Sequence, residues 1–184
     1  MRLLLTFAFA SAASLACAMV GRAPPASDAV ARRVALIVGS RGNFCTGVAL
    51  ARDLVLTVAH CVTPGADYKL VEHDAKRQPV LRDVAKIARH PQFDINALLG
   101  HRATADVALL KLAQPAGLAP AVLTQSYERV AVGDRFLVAG YGVAVRGDGR
   151  TGGEVRAATL SVTGQPGGLQ IRCLMYSLVP PSVI

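Results

Sequence analysis

Phe44-Cys45-Thr46-Gly47-Val48-Ala49-Leu50, a break at Ala51-Arg52-Asp53, and then Leu54-Val55-Leu56-Thr57-Val58-Ala59-His60-Cys61-Val62 decide how this chain is read. Two apolar, β-branched runs parted by a short polar break predict a pair of strands with a tight connection. The second run ends on a histidine, with one cysteine beside it and another near the head of the first run. Cys61 can bridge back to Cys45, which would pin the backbone next to His60 as a positioned general base requires. Such a link closes a loop of about 17 residues and stabilises by roughly 3 kcal/mol on the chain-entropy account. The plainer alternative is a partly buried histidine at a strand end beside a structural disulfide.

Outward from this pair, short apolar or alternating runs are separated by turn formers. Val34–Val38 is followed by Gly39-Ser40-Arg41-Gly42-Asn43, a strong turn signal. Tyr68–Val71, Val80–Ala88, Val107–Leu112, Arg135–Gly140, Val155–Val162 and Leu169–Leu174 continue the series. Their spacing and β-branched content predict an all-β sandwich or barrel. A single helical turn is expected around Cys61-Val62-Thr63-Pro64, and beyond the N-terminus no segment carries a sustained helical apolar period. The linker candidate is 115–120, Pro-Ala-Gly-Leu-Ala-Pro, which divides the body into 33–114 and 121–184.

In Thr104-Ala105-Asp106-Val107-Ala108-Leu109-Leu110-Lys111-Leu112 an aspartate opens an otherwise apolar strand. A carboxylate there is either at the solvent edge or buried and paired with a donor. A histidine Nδ1–H is such a donor, and the aspartate would then hold the tautomer and stabilise the imidazolium.

Together these segments resemble the trypsin/chymotrypsin-like serine endopeptidases. Thr57-Val58-Ala59-His60-Cys61 is similar to that family's Thr-Ala-Ala-His-Cys, and Asp106-Val107-Ala108-Leu109-Leu110 to its Asp-Ile-Ala-Leu-Leu. Phe44-Cys45-Thr46-Gly47 resembles Phe-Cys-Gly-Gly, and Phe136–Gly142 resembles the second-barrel strand that reads Ala-Gly-Trp-Gly. His60 and Asp106 stand 46 residues apart, against roughly 45 in chymotrypsin. The resemblance covers about Val34 to Leu169. It implies two packed Greek-key β-barrels with the active site in the cleft between them: an N-terminal barrel over 33–114 and an incomplete C-terminal one over 121–184. It also implies a Cys45–Cys61 disulfide, His60 as general base and acid, Asp106 as its orienting carboxylate, and peptide-bond hydrolysis of protein or peptide substrates through an acyl-serine.

The nucleophile is the departure. A serine becomes reactive when a histidine takes its proton, and the oxyanion needs N–H donors beside it. The family carries both in Gly-Asp-Ser-Gly-Gly, and no Gly-Asp-Ser-Gly occurs after Asp106. Ser126 and Ser161 lack the glycine neighbours, while Ser177 and Ser182 stand among prolines and bulky apolar residues. The uncharged ending from Cys173 is expected to be a truncated or frame-shifted end, leaving this chain inactive and an incomplete second barrel with an unpaired sheet edge. The alternative is a non-enzymatic secreted pseudoprotease, a binding protein. Ile37-Val38-Gly39 resembles the family's activation terminus but falls on the first strand, so it is read as coincidence.

The N-terminus is expected to direct export. Arg2, an apolar run from Leu3 and Ala16-Cys17-Ala18 form a signal peptide over 1–18, followed by a mobile leader over 19–32. The mature chain is therefore expected to be secreted or periplasmic, with no stable membrane partner after cleavage. Loss of Cys17 leaves Cys45, Cys61 and Cys173, an odd number with Cys173 as the orphan. A 52% hydrophobic composition excludes a disordered chain, and 4 cysteines in 184 residues exclude a disulfide-dense mini-protein. The net charge of +8 is scattered and aromatics are only 5%, so no nucleic-acid partner is expected. His60, Cys61, His73, His90 and His101 match no recurring ligand spacing, so neither metal nor cofactor is expected.

Overall fold

The computed structural model describes residues 23–102, 104–124, 129–145, 148–167 and 170–175. The turn over 39–43 folds β1 (Val34–Gly39) onto β2 (Phe44–Ala51), with Gly42 at φ 82° and the Gly39 N–H donating to the Asn43 carbonyl. A positive φ is where glycine avoids the Cβ clash, so the turn closes here. β3 (Leu54–Thr57), β4 (Tyr68–His73), β5 (Pro79–Arg89) and β6 (Ala108–Leu112) complete a closed barrel in the order β1-β2-β3-β6-β5-β4. Three hairpin-linked strands with the fourth returning beside the first make this a Greek key.

Alternation places one set of side chains inside. Ile37, Val55, Leu70 and Leu110 are fully buried, joined by Ala35, Tyr68, Ala108 and Leu112. Gly47 belongs to this interior, because an added Cβ would lie 2.6 Å from the Val55 side chain. β5 alternates exposed and half-buried positions until its register shifts between Val84 and Lys86, where consecutive residues face solvent. This is the signature of a bulge, which bends a long strand around a closing barrel.

Among the described residues the second half is an open three-stranded sheet in the order β7-β8-β9, formed by β7 (Arg135–Gly140), β8 (Arg156–Gly167) and β9 (Gln170–Met175). The expected all-β, two-part chymotrypsin-like architecture is therefore present, with a closed first barrel and a partial second one. The described residues also include two short helices, α1 (Asp28–Ala31) and α2 (Ile95–Leu99). Neither is long enough to display a helical apolar period, and α2 is set by the Asp94 carboxylate accepting the Asn96 N–H.

The segment read as a mobile leader differs. From Ala23, which is buried, it is part of the fold: the Pro24 carbonyl accepts the Ala157 N–H and the Ala26 N–H donates to Val155. These bonds pair the segment with the start of β8, so it has a fixed partner. The 115–120 linker is likewise strapped to the first barrel. Its Ala116 and Ala119 N–H groups donate to Arg52 and Arg32, and its Gly117 N–H donates to the Glu72 carboxylate at 2.5 Å. The signal over 1–18, with Cys17, and Ser126, Ser177 and Ser182 lie outside the described residues. Among the described residues no helix is long and apolar enough to cross a membrane.

Candidate active site

The register of β3 against β6 brings the two predicted residues together. Thr57 pairs with Ala108, so the residues just after β3 and just before β6 share one rim of the barrel. The apolar run extends to Ala59, but the strand ends at Thr57, and His60 sits in a 3-10 turn, Ala59–Cys61. Asp106 lies two residues ahead of β6, in a turn in which the Asp106 N–H donates to the Thr104 carbonyl.

His60 Nδ1 stands 2.6 Å from Asp106 Oδ2, and the His60 backbone N–H donates to Asp106 Oδ1 at 2.9 Å. One carboxylate thus fixes both the ring and the main chain of the histidine. The Asp106 side chain is 19% exposed and that of His60 45%. Burial pushes the Asp106 carboxyl up, but the hydrogen bonds from the His60 ring and backbone prevail and hold it below its ordinary value. With Nδ1 engaged, Nε2 has no hydrogen-bond partner among the described residues. This is the nitrogen that a general base presents to a hydroxyl.

The surroundings lock the turn. Cys61 is disulfide-bonded to Cys45, with Cα atoms 6.1 Å apart. The Asn43 side-chain amide donates to the Cys61 carbonyl at 3.0 Å, and the Thr57 hydroxyl donates to the Thr46 carbonyl at 2.9 Å. Sequence reasoning does not single out Asn43 or Thr57: Asn43 reads only as a turn former, and its nearness to Cys61 follows from strand pairing. Their adjacency to the two half-cystines is the available signal.

The Trypsin family model matches residues 19–170. The chain belongs to the trypsin family. It is 32% identical to pig (Sus scrofa) trypsin over 129 residues, covering 67% of this chain and 53% of that protein. Mouse (Mus musculus) granzyme E is 29% identical over 133 residues, covering 68% and 51%. The chain thus spans about half the length of these relatives. The solved structure of GrC superposes with a TM-score of 0.61 at 27% identity, covering 78% of this chain and 65% of that one. Mouse neuropsin, described as a serine protease, gives a TM-score of 0.64 at 18% identity, covering 83% and 74%, and so shares the fold.

In this trypsin-family chain the remaining sequence candidates are spread out. Ser161 sits within β8, between Arg135 of β7 and Leu174 of β9, and is not on a glycine-flanked turn. Cys173 on β9 is a free, half-buried thiol. His73 ends β4, the His90 ring accepts the Gln92 N–H, and His101 follows α2 with φ 54°. Among the described residues no three histidine, cysteine or carboxylate groups gather as a metal site. Ile37-Val38-Gly39 lies on β1.

Proposed function

We propose that this is an exported serine-endopeptidase homologue in which His60 is the general base and acid and Asp106 its orienting carboxylate. The single observation that carries the reading is the 2.6 Å contact between His60 Nδ1 and Asp106 Oδ2, with Nε2 left for a hydroxyl. In a family member with its serine in place, His60 takes the hydroxyl proton as oxygen attacks the peptide carbonyl, then returns it to the leaving amine. The substrates proposed are proteins or peptides. The family match opens at residue 19, directly after Ala18, which supports a signal peptide over 1–18 and a secreted or periplasmic product. A disulfide between Cys45 and Cys61 fits an oxidising compartment.

The 184 residues contain no Gly-Asp-Ser-Gly, and we infer that they do not acylate by themselves. A serine-directed fluorophosphonate probe on the chain of this sequence tests that inference. No labelling at any pH is expected, whereas labelling abolished by His60→Ala would overturn the inactive assignment. For the relay itself, Asp106→Asn in a version fused to a family Gly-Asp-Ser-Gly-Gly segment is expected to lower kcat by about 10⁴-fold. An unchanged kcat there would remove Asp106 from its role.

A further inference from the structure

We infer that Thr46 is a positioning residue that registers the second sheet against the strand end that carries His60. It occupies the third place of Phe44-Cys45-Thr46-Gly47, where the similar family motif has glycine, so this chain places a hydroxyl where that motif has none.

That hydroxyl is used across the molecule. Thr46 Oγ1 accepts the Tyr141 N–H at 2.9 Å, across 95 residues of chain, and Tyr141 is the first residue after β7. The Thr46 carbonyl accepts the Thr57 hydroxyl at 2.9 Å, and Thr57, 6% exposed, is the last residue of β3. Two peptide units later the chain enters the turn that holds His60. Cys45, the neighbour of Thr46, is bonded to Cys61 on the far side of His60. Adjacent residues of β2 therefore grip the histidine turn from both ends, and one of them also takes hold of the second sheet.

Packing at the same seam agrees. The Phe44 ring lies against Gly152, where an added Cβ would approach it to 3.1 Å. A β-branched side chain has few χ1 choices, so the Thr46 oxygen is held in place without an entropy cost of the size a long polar side chain would carry. With glycine at this position the half-buried Tyr141 N–H loses its acceptor, and the sheet loses a directional contact that sets its angle to the His60 rim.

The test is nuclear magnetic resonance on the whole chain, comparing the unaltered protein, Thr46→Val and Thr46→Ser. It does not depend on peptidase activity, so its outcome is separate from the question of the nucleophile. Thr46→Val is nearly isosteric and is expected to speed amide exchange at Tyr141 by about tenfold and to shift the His60 imidazole resonances. Thr46→Ser is expected to restore both. Unchanged Tyr141 exchange in Thr46→Val, a His60 signal that stays in place, or failure of serine to rescue overturns the proposal. If Thr46→Val does not fold, Thr57→Val reads the other half of the tie. It is expected to move the His60 resonances while Tyr141 stays protected, and unmoved His60 resonances overturn the proposal.

Discussion

β6 reads Ala-Leu-Leu-Lys-Leu and β7 reads Arg-Phe-Leu-Val-Ala-Gly, two strands of comparable apolar character with opposite fates. In β6, Leu110 is 0% exposed, whereas in β7 Leu137 is 59% exposed and Phe136 37%. The difference lies in closure. Six strands joined into a ring enclose an interior, and every second residue drops into it. Three strands in an open sheet have no enclosed side, so an apolar residue is buried only where another element covers it. Burial is conferred by closure of the ring, or by a covering element as at Val162 of β8, which is 1% exposed, and not by the composition of the strand.

The sharpest way to break this comparison is a matched pair of truncations. Leu110→Ala is expected to cost about 2–5 kcal/mol, the range for an interior leucine that leaves a cavity. Leu137→Ala is expected to stay within about 0.5 kcal/mol. Urea unfolding of both variants checks the pair, and similar losses would contradict the assignment of the core to the barrel. Next in size is the staple of the first barrel. Replacing Cys45 and Cys61 together by alanine removes a cross-link 16 residues apart in sequence and is expected to lower stability by roughly 3 kcal/mol. Reduction of the unaltered chain, followed by thermal unfolding, provides the check.

A smaller effect is expected from Gly47→Ala, which would push a Cβ into the Val55 side chain. About 1–3 kcal/mol is the expected loss for such overpacking, read from the shift in the urea midpoint. The smallest belongs to the rim. Because the Asp106 carboxyl titrates below its unfolded-state value, its contribution to stability is complete above about pH 4. It is lost as the pH falls through the lowered folded-state value. The stability difference between the unaltered protein and Asp106→Asn is therefore expected to shrink on acidification below about pH 4. Denaturation midpoints across that window measure it, and a difference that does not change with pH would speak against a charged Asp106 beside His60.

How much of this was legible in the residues varies by element. The nine strands of the described residues could be read as apolar runs between turn formers, because alternation and glycine-rich turns are local signals. The ends were less legible: β3 stops at Thr57 because the chain there turns into a 3-10 element held by Asn43, Cys45 and Asp106. The Ala23–Ala26 segment reads as a leader since its two prolines and small residues carry no strand pattern. Its role comes from backbone groups pairing with β8, which side-chain types do not reveal. The site divides in the same way. His60, Asp106, Cys45 and Cys61 were named from sequence, while Asn43, Thr46 and Thr57 emerged only when their partners were in view.

By itself the order of amino acids determined that this is a β protein of the trypsin family, which strands it has and which residues are chemically equipped to pass a proton. These depend on local periodicity and on side-chain chemistry, both carried by near neighbours in the chain. Only the tertiary structure decided that a carboxylate 46 residues from a histidine stands within hydrogen-bonding reach of its ring. It also decided that a single threonine reaches 95 residues along the chain to the second sheet. Such distances are set by strand register and barrel closure, which every paired strand determines jointly and no one segment contains.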